Sequence, residues 1–475
     1  MVNSFAQTSC LVDKFHKEHA MVRRLVLSAA ILLAAGAATG AQGPGGQPPP
    51  NSQKITAIRA GRLIDPEAGT AAANQIIVVE GERIRNVGPN VSIPPNADVI
   101  DLSRLSVLPG FVDAHTHTAM TYKEVPENNI YYYTYITDPT PLRAIQAASS
   151  ALQLLSSGFT VVVDLGNNGL YADTALRQAI EQGWLPGPTI IPSGLIISTT
   201  GGQFTPSPEM YKFHNIVYPE YLEANSHDEI VKAVRENLLF GAKVIKICLD
   251  CKPWGYSVDD IKLFIAEAAK GGAKVNAHVQ TRDGAQRAID AGLHVISHGQ
   301  QITPEQHAQM AQKNIYLAST DTPFTAYRGS PEGQQHAAEQ LKSAWQKGVR
   351  ITFSTDMDYW NEKMKKDNGE WLNRGDLTIN FLLTWKAAGI PAKDTLKALT
   401  INGYGAADVL KDQRGPIKPG FYADLIAVNG DPLTNIDAVR DVQFVMKNGE
   451  VFKRNGVITI DNLLHPGPVN GFRRR

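Results

Sequence analysis

Eight short apolar segments follow one another through the middle of this chain, and helical patterns separate them. The candidate strands are "LPGFVDAH", "TVVVDLG", "TIIPSGL", "VIKICL", "VNAH", "VISH", "IYLAS" and "ITFSTD". Between them, segments such as "TPLRAIQAASSALQLLSSG", "SVDDIKLFIAEAAKGG" and "TRDGAQRAIDAG" have helical periodicity and end in glycine, as helix C-termini often do. Strands that alternate with helices indicate parallel βαβ units. Eight such units predict an α/β fold, the (β/α)8 TIM barrel.

Both ends of the region beyond residue 53 have a different, strand-rich texture. The segments "KITAIRAGRLID", "NQIIVVEGERIRNVG" and "ADVIDLSRLSVLPG" precede the barrel, and "ADLIAVNGDPL", "VQFVMKNGEVFKRNG" and "VITI" follow it. Turn residues close each segment, as expected for short strands. We therefore predict a small composite β-sandwich domain formed by both chain ends, residues 54–109 and 414–465, around a catalytic barrel of residues 110–413.

The first 41 residues have the composition of a secretory signal peptide whose true start is Met21. Arg23 and Arg24 are the basic part, an apolar run follows, and small residues up to Ala41 form a cleavage site. The apolar run is shorter than the roughly 18 residues of a membrane span. Residues 42–53 are a Gly/Pro-rich linker. We expect a periplasmic or secreted protein without a stable membrane anchor.

The charge balance excludes some classes of partner. Lys+Arg and Asp+Glu each number 46, so the formal net charge is zero and offers no attraction to nucleic acid or to an anionic membrane. We expect a small-molecule substrate. We also expect a homo-oligomer, with a subunit number that the residues do not fix.

Polar residues that bind metals recur where the predicted strands end. In "GFVDAHTHT" two histidines are two positions apart, so they share one face of a strand. The strand ends of a TIM barrel meet at one face of the fold, where its active sites lie. The residues predicted to meet there are His115, His117, Lys246, His278, His298 and Asp356.

Each of these residues also has an ordinary structural explanation. His298 fits a hydrogen-bonded core histidine, and Asp356 fits a helix cap, with Asp358 as a competing carboxylate. Lys246 fits a buried ion pair, and Lys243 is the alternative functional lysine. Taken together, the positions favour a metal site, because chance would scatter histidines away from the strand ends.

The motifs "LPGFVDAHTHT", "IKIC", "NAHVQT", "ISHG", "FSTD" and "GPIKPGFYADLIAVNGDPL" resemble the metal-dependent amidohydrolase superfamily over about residues 54–455. Within it, the chain is similar to imidazolonepropionase-like proteins, to Xaa-Pro dipeptidases (prolidases) and to ochratoxin amidohydrolases. The resemblance implies two zinc ions bridged by a carboxylated lysine. Carried over by position, His115, His117 and Asp356 bind one ion, His278 and His298 bind the other, and Lys246 is the bridge.

The resemblance also implies a reaction, in which a metal-bridging hydroxide attacks an amide and Asp356 acts as the base. The implied product is a C-terminal amino acid, released from an Xaa-Pro dipeptide, an N-acyl amino acid or an ochratoxin-like aromatic amide. Deaminases of the superfamily usually lack the lysine of strand four, so Lys246 counts against deamination. Alternatives with the same site are hydrolysis of cyclic amides, lactones or phosphoesters. A non-catalytic exported metal-binding protein is the alternative outside enzymes.

Location alone suggests the groups that contact substrate. Lys252, Arg282 and Arg328 are candidates for binding a substrate carboxylate, and Tyr122 and Tyr256 for an oxyanion. Two loops are possible pocket walls. One is the tyrosine-rich "NNIYYYTYITD", which equally fits a packing helix. The other is "TTGGQF" at residues 199–204, where relatives often read "TGGHG", a departure that fits either a reshaped pocket or drift in a turn.

Of the three cysteines, two lie close together in the sequence and one lies far from them. Cys10 falls in the predicted signal peptide, whereas Cys248 and Cys251 form the pair in "CLDC". No second pair completes a structural zinc site. The spacing leaves a disulfide and two separate thiols as alternatives.

Overall fold

The computed structural model describes most of the chain after the predicted linker. The described residues are 54–120, 137–203, 208–213, 218, 220–323, 329–357, 373–408, 410 and 412–459. The predicted signal peptide and linker, Tyr122, Arg328, Asp358 and residues 128–136 of the tyrosine-rich segment lie outside them.

The strands in the described part, in chain order, are β1 (Ile55–Asp65), β2 (Thr70–Glu80), β3 (Arg83–Gly88), β4 (Asp98–Pro109), β5 (Phe111–Thr116), β6 (Phe159–Asp164), β7 (Thr189–Pro192), β8 (Ile196–Ser198), β9 (Tyr221–Glu223), β10 (Val244–Cys248), β11 (Lys274–Val279), β12 (Val295–His298), β13 (Tyr316–Ala318), β14 (Arg350–Thr352), β15 (Leu425–Val428), β16 (Val442–Lys447), β17 (Glu450–Arg454) and β18 (Val457–Ile458).

The α-helices of the same residues are α1 (Thr140–Ser156), α2 (Ala172–Glu181), α3 (Pro208–Tyr211), α4 (His227–Leu239), α5 (Val258–Lys270), α6 (Arg282–Ala291), α7 (Pro304–Gln312), α8 (Pro331–Gln346), α9 (Arg374–Ile379), α10 (Leu382–Ala387), α11 (Ala392–Lys397) and α12 (Gly403–Ala406). A π-helical turn spans Ala398–Asn402, and a 3-10 turn spans Ile436–Arg440.

The barrel is a ring of parallel strands. One sheet has the order β5-β6-β7, and a second runs from β8 through β10, β11, β12 and β13 to β14. The amide of Lys243 bonds to the carbonyl of Pro192 at 2.7 Å and links β7 to β10. The ring closes between β5 and β14, where Ala114 N donates to the Phe353 carbonyl at 3.0 Å. With β7 and β8 as successive parts of the third strand, all eight predicted strands are present and the TIM barrel is confirmed.

Local sequence explains why the barrel helices begin and end where they do. Ser257 accepts a hydrogen bond from the amide of Asp260, whose carboxylate accepts one in return, so a capping box starts α5. Thr303 and Gln306 form the same arrangement at α7. Gly292 ends α6 with φ of 74°, a left-handed conformation that glycine adopts without steric cost.

The two chain ends form one mixed sheet of eight strands in the order β18-β17-β16-β15-β4-β1-β2-β3. Antiparallel pairing of β4 with β15 joins the first end to the last. The edge strand β3 returns to the segment before β15, because Ile84 N donates to the Phe421 carbonyl at 2.8 Å. The folded sheet encloses an apolar core that includes Ile58, Ile77 and Phe444. The composite β-domain from both ends is therefore confirmed, and its exact boundaries stay predictions.

Among the helices that the structure describes, none is long and apolar enough to cross a membrane.

Candidate metal centre

The barrel brings the six predicted ligands to one end of its strands. His115 lies in β5, Lys246 in β10, and His278 and His298 in β11 and β12. The histidine rings are close together: the ring centroids of His278 and His298 are 4.2 Å apart, and those of His115 and His298 are 5.1 Å apart. The remaining two are His117, which directly follows β5, and Asp356, which lies four residues after the end of β14, and their side chains meet at 2.9 Å. The centre is thus built from the ends of five strands.

Two histidine nitrogens converge on the carboxylate of Asp356. Its Oδ1 atom lies 2.9 Å from Nε2 of His117 and 3.1 Å from Nε2 of His115. The Nδ1 atom of His117 donates to the carbonyl of Gly166 at 2.7 Å, so a neutral His117 directs the lone pair of Nε2 at the carboxylate. Two lone pairs repel at this distance unless a cation lies between them. Ligands about 2.0–2.1 Å from one zinc ion are themselves about 3 Å apart, so the spacing fits a divalent cation.

The second pair of histidines is held from outside the cluster. Nδ1 of His298 lies 3.0 Å from the hydroxyl of Thr320, and Nδ1 of His278 lies 3.2 Å from the amide nitrogen of Gln203. The hydroxyl of Thr320 is able to accept from Nδ1–H, which leaves Nε2 of His298 for a metal ion. The Gln203 amide does the same for His278 only with its oxygen turned toward Nδ1. Gln203 is one of the two residues at which "TTGGQF" departs from "TGGHG", and the other, Phe204, lies outside the described residues.

The backbone is strained where the strands deliver these side chains. His298, Thr320 and Asp356 have φ angles of 71°, 50° and 54°, in the left-handed region that non-glycine residues rarely adopt. Each such residue costs about 1–3 kcal/mol and persists only where its surroundings hold it in place. Strain at the ends of three neighbouring strands is therefore consistent with a functional site.

Lys246 is buried below the histidines. Its Nζ atom lies 3.5 Å from Nε2 of His115, and only 1% of the residue is exposed. Burial lowers the pKa of this amine to about 7. A large fraction of Lys246 is therefore uncharged at neutral pH, unlike a lysine on the surface.

The histidines and the aspartate have the charge states that metal binding requires. Burial, with a smaller contribution from Lys246, lowers the pKa of His115 and of His278 to about 3, and burial also places the pKa of His298 well below its ordinary value. Burial by itself raises the pKa of Asp356, but His115 and His298 outweigh it and hold that pKa well below its usual range. Neutral imidazoles around an ionised carboxylate are ready ligands at neutral pH.

Asp356 is also the accessible member of the cluster. Its side chain is 36% exposed, whereas that of His115 is 1% exposed. A carboxylate at the opening of the site is able to reach both a bound cation and an incoming molecule.

Supporting contacts lock the ends of β5 and β14 together. The Asp113 carboxylate accepts from the hydroxyl of Thr355 at 2.6 Å and from its amide at 3.2 Å. Arg374, which is fully buried, donates to the carbonyl of His117 at 3.0 Å and to that of Met357. These residues hold the backbone on both sides of the ligands. No motif in the sequence singles out these supporting residues.

The residues predicted to contact substrate differ in how accessible the structure leaves them. Tyr256 is buried and its hydroxyl donates to the carbonyl of Ala224 at 3.0 Å, so this donor is used within the fold and is a poor candidate for an oxyanion. Lys252 is partly buried, and Arg282 is exposed on the first turn of α6. Arg328 and Tyr122 lie outside the described residues.

The two cysteines beside the centre are joined. Cys248 ends β10, two residues after Lys246, and forms a disulfide with Cys251, with their Cα atoms 5.7 Å apart. Of the two alternatives that the spacing left open, the structure has the disulfide.

The chain is similar in sequence to proteins of known function. The ochratoxinase of Aspergillus niger is 26% identical over 448 residues, which cover 85% of this chain and 88% of that protein. The imidazolonepropionase of Alkaliphilus metalliredigens is 25% identical over 414 residues, or 80% of this chain and 90% of that protein.

Among solved structures, that of an Xaa-Pro dipeptidase with methionine bound in its active site matches with a TM-score of 0.72 and 26% identity, covering 84% of this chain and 100% of that chain. The model of the amidohydrolase family matches residues 106–452, which span the barrel and the C-terminal part of the β-domain. The chain therefore belongs to the amidohydrolase family and is a metal-dependent hydrolase of carbon–nitrogen bonds.

Proposed function

We propose that this enzyme is a binuclear zinc amidohydrolase that releases a C-terminal amino acid from an amide. The proposal depends above all on one observation: the buried amine of Lys246, 3.5 Å from Nε2 of His115, at the base of the histidine cluster. A protonated Lys246 would repel a metal ion bound by the neighbouring histidines. A lysine that has become an anion would be well placed there.

Carbon dioxide adds to a neutral lysine amine, which releases one proton to solvent and becomes an anionic carbamate with two oxygen atoms that are able to bind metal. The reaction needs the unprotonated amine, and burial lowers the pKa of Lys246 to about 7, where much of the amine has this form. In this proposal a carboxylated Lys246 would be a ligand shared by two ions. His115, His117 and Asp356 would hold one ion, and His278 and His298 would hold the other.

Bound divalent ions supply Lewis acidity that polarises a carbonyl and lowers the pKa of water. Asp356 supplies the proton transfer. Its carboxylate is ionised because its pKa lies well below the usual range, and it is 36% exposed at the mouth of the site. It takes the proton from the attacking water and then delivers it to the departing nitrogen.

The relatives support the class of substrate. They are named as an ochratoxinase and an Xaa-Pro dipeptidase. We therefore propose an Xaa-Pro dipeptide, an N-acyl amino acid or an ochratoxin-like aromatic amide as substrate. Lys252 is the better candidate for binding the free carboxylate, because it is partly buried and follows Cys251, the disulfide partner of the residue that ends β10.

The test is an assay of amide hydrolysis. The chain is loaded with zinc and bicarbonate and incubated with dipeptides and N-acyl amino acids that differ in their C-terminal residue, and mass spectrometry follows amino-acid release. Release that depends on the C-terminal residue is the expected result. No release by a protein that holds two zinc ions would overturn the proposal and direct the assay to cyclic amides, lactones and phosphoesters.

Asp356→Asn is the matched variant for this assay. The amide keeps the size of the carboxylate and one oxygen ligand but is a far weaker base. Turnover should fall at least about 100-fold, while most of the metal, measured by mass spectrometry, stays bound. Equal turnover by the variant and the parent would exclude Asp356 as the base.

We further propose that the protein is exported and forms a homo-oligomer. The segment from Met21 to Ala41 and the Cys248–Cys251 disulfide support export, because disulfides persist in oxidising compartments. N-terminal sequencing of the protein from a periplasmic fraction should give Gln42, and light scattering of the same sample gives the subunit number. An uncleaved N-terminus in a cytoplasmic fraction would contradict export.

A further inference from the structure

The Cys248–Cys251 disulfide lies beside the hydrolytic centre without belonging to it. Cys248 pairs directly with His278 in the register of β10 and β11. Side chains two apart in a strand share a face, so Cys248 lies on the same side of β10 as Lys246, one step closer to the mouth of the barrel. Cys248 is 1% exposed and Cys251 is partly exposed, so a reductant reaches the disulfide from the side of Cys251.

Cys248, Cys251 and His278 lie close enough together to bind one metal ion through sulfur and nitrogen. The two sulfur atoms and one ring nitrogen of His278 all lie within 4.8 Å of one another. Two cysteines separated by two residues, together with a histidine, are a ligand set typical of zinc. In the disulfide the sulfurs are poor ligands, because metal ions bind thiolates.

We propose that reduction of the Cys248–Cys251 disulfide creates a sulfur-rich site, formed by Cys248, Cys251 and His278, that binds a soft divalent ion such as zinc. A dithiol supplies two electrons and two protons and becomes a disulfide itself, while the Cys248–Cys251 bond breaks to give two thiols. The incoming ion then displaces the two thiol protons into solvent. Thiolates favour zinc over hard cations such as magnesium.

The new site shares His278 with the hydrolytic centre. One imidazole nitrogen binds one ion, so an ion held by Cys248 and Cys251 draws His278 away from the cluster around Asp356. Reduction should therefore lower turnover while metal stays bound. The existence of the sulfur site does not depend on the proposed substrate, and its test does not need one.

Cobalt is the probe, because thiolate ligands give Co²⁺ a strong charge-transfer absorption in the near ultraviolet, which nitrogen and oxygen ligands lack. The full chain is freed of metal with a chelator, divided into untreated and dithiothreitol-reduced samples, cleared of reductant under argon and titrated with Co²⁺. The absorption should appear in the reduced sample alone. Circular dichroism verifies that the reduced chain keeps its fold.

Two variants serve as controls. The Cys248→Ser/Cys251→Ser double variant retains Cys10 and should show no charge-transfer absorption in either state, which excludes Cys10 as the source. The single variant Cys251→Ala, for use if the double variant does not fold, should give a weaker absorption. In an assay with any hydrolysed amide, reduction should lower wild-type turnover about 10- to 100-fold and leave that of the double variant unchanged.

Two results would overturn the inference. One is a reduced, folded wild-type chain with both thiols titratable that binds Co²⁺ without the absorption. The other is loss of the native circular dichroism on reduction, because the site requires the paired β10 and β11. Failure of every amide substrate would contradict the proposed function and leave the cobalt result as it stands.

Discussion

The Nζ atom of Lys246 lies 3.5 Å from Nε2 of His115, and each residue is 1% exposed. If a carbamate on Lys246 bridges the ions, Lys246→Ala removes ligands to both of them. We expect turnover to fall at least about 100-fold and the metal content per chain to fall with it. Steady-state kinetics and elemental mass spectrometry of the same preparation measure both quantities.

Chemical rescue separates this role from simple packing. Small carboxylates such as propionate fit the space left by the side chain and should restore part of the turnover of Lys246→Ala. Lys243→Ala is the matched control, because Lys243 lies just before β10 at the opposite end of the strand, and it should keep both turnover and metal. Unchanged metal content in Lys246→Ala would show that Lys246 is not a ligand.

The same lysine makes the stability of the metal-free protein depend on pH. Its pKa is about 7 in the folded chain and about 10.4 in an unfolded one. Between these values the unfolded chain binds more protons, so stability should rise with pH from about 7 to about 10. The contribution has a slope of at most about 1.4 kcal/mol per pH unit, and urea unfolding in a chelating buffer measures it.

Lys246→Met should remove that slope between pH 7 and 8. Lys447 is a useful comparison because it is buried in β16 and burial lowers its pKa to about 8. Lys447→Met should therefore reduce the slope of the unfolding free energy against pH only above about pH 8. A Lys246→Met curve parallel to wild type over pH 7 to 8 would mean that this amine is not buried in its neutral form.

Arg374 is expected to act on the metal centre through the backbone. It donates to the carbonyls of His117 and Met357, which flank the ligands at the ends of β5 and β14. Arg374→Met removes a charged donor from both buried carbonyls, which keep the backbone amides of Met120 and His117 as donors, and the loss costs about 1–3 kcal/mol of stability. We also expect metal affinity to fall about 10- to 100-fold, measured by competition with a chromogenic chelator.

Arg414→Met is the control for destabilisation alone. Arg414 is 6% exposed and pairs with Asp424 in the β-domain, away from the strand ends of the barrel. It should lose comparable stability and keep its affinity for metal. If both variants lose metal equally, the effect of Arg374 is one of general stability.

The proposed ligands could be grouped from the sequence because their positions follow from strand periodicity. His115 and His117 share a face of one strand, and a barrel directs the ends of all its strands to one place, so marking polar residues at strand ends was enough to find His278 and His298. Thr320 follows β13 by the same rule and binds His298 at 3.0 Å. A threonine carries no metal signal of its own, and it was overlooked.

Other features depend on tertiary contacts that no local pattern records. Arg374 reaches the centre from α9, and in sequence it is one arginine among many. Tyr256 was predicted as an oxyanion donor from its position in the chain, but the direction of its hydroxyl depends on the carbonyl of Ala224, 32 residues away. Sequence spacing predicts which face of a strand a side chain lies on. It does not predict the direction of a side chain in a loop.

Gln203 provides the last prediction, because it stands where relatives often have histidine. Its side-chain amide lies 3.2 Å from Nδ1 of His278, and its oxygen, turned toward this nitrogen, accepts the N–H and leaves Nε2 of the ring for metal. Gln203→Ala should lower metal affinity about 10- to 100-fold. Gln203→His should keep affinity near that of wild type, since an imidazole also offers a nitrogen to His278.

Gln280→Ala is the matched control, because Gln280 is exposed and follows His278 by two residues, and its backbone amide rather than its side chain bonds to Asp250. Its metal affinity should equal that of wild type. Zinc competition titrations of the three variants then separate two explanations of the departure at residue 203. A loss confined to Gln203→Ala supports an orienting role for the side chain, whereas three equal affinities would mean that the glutamine reflects drift in a turn.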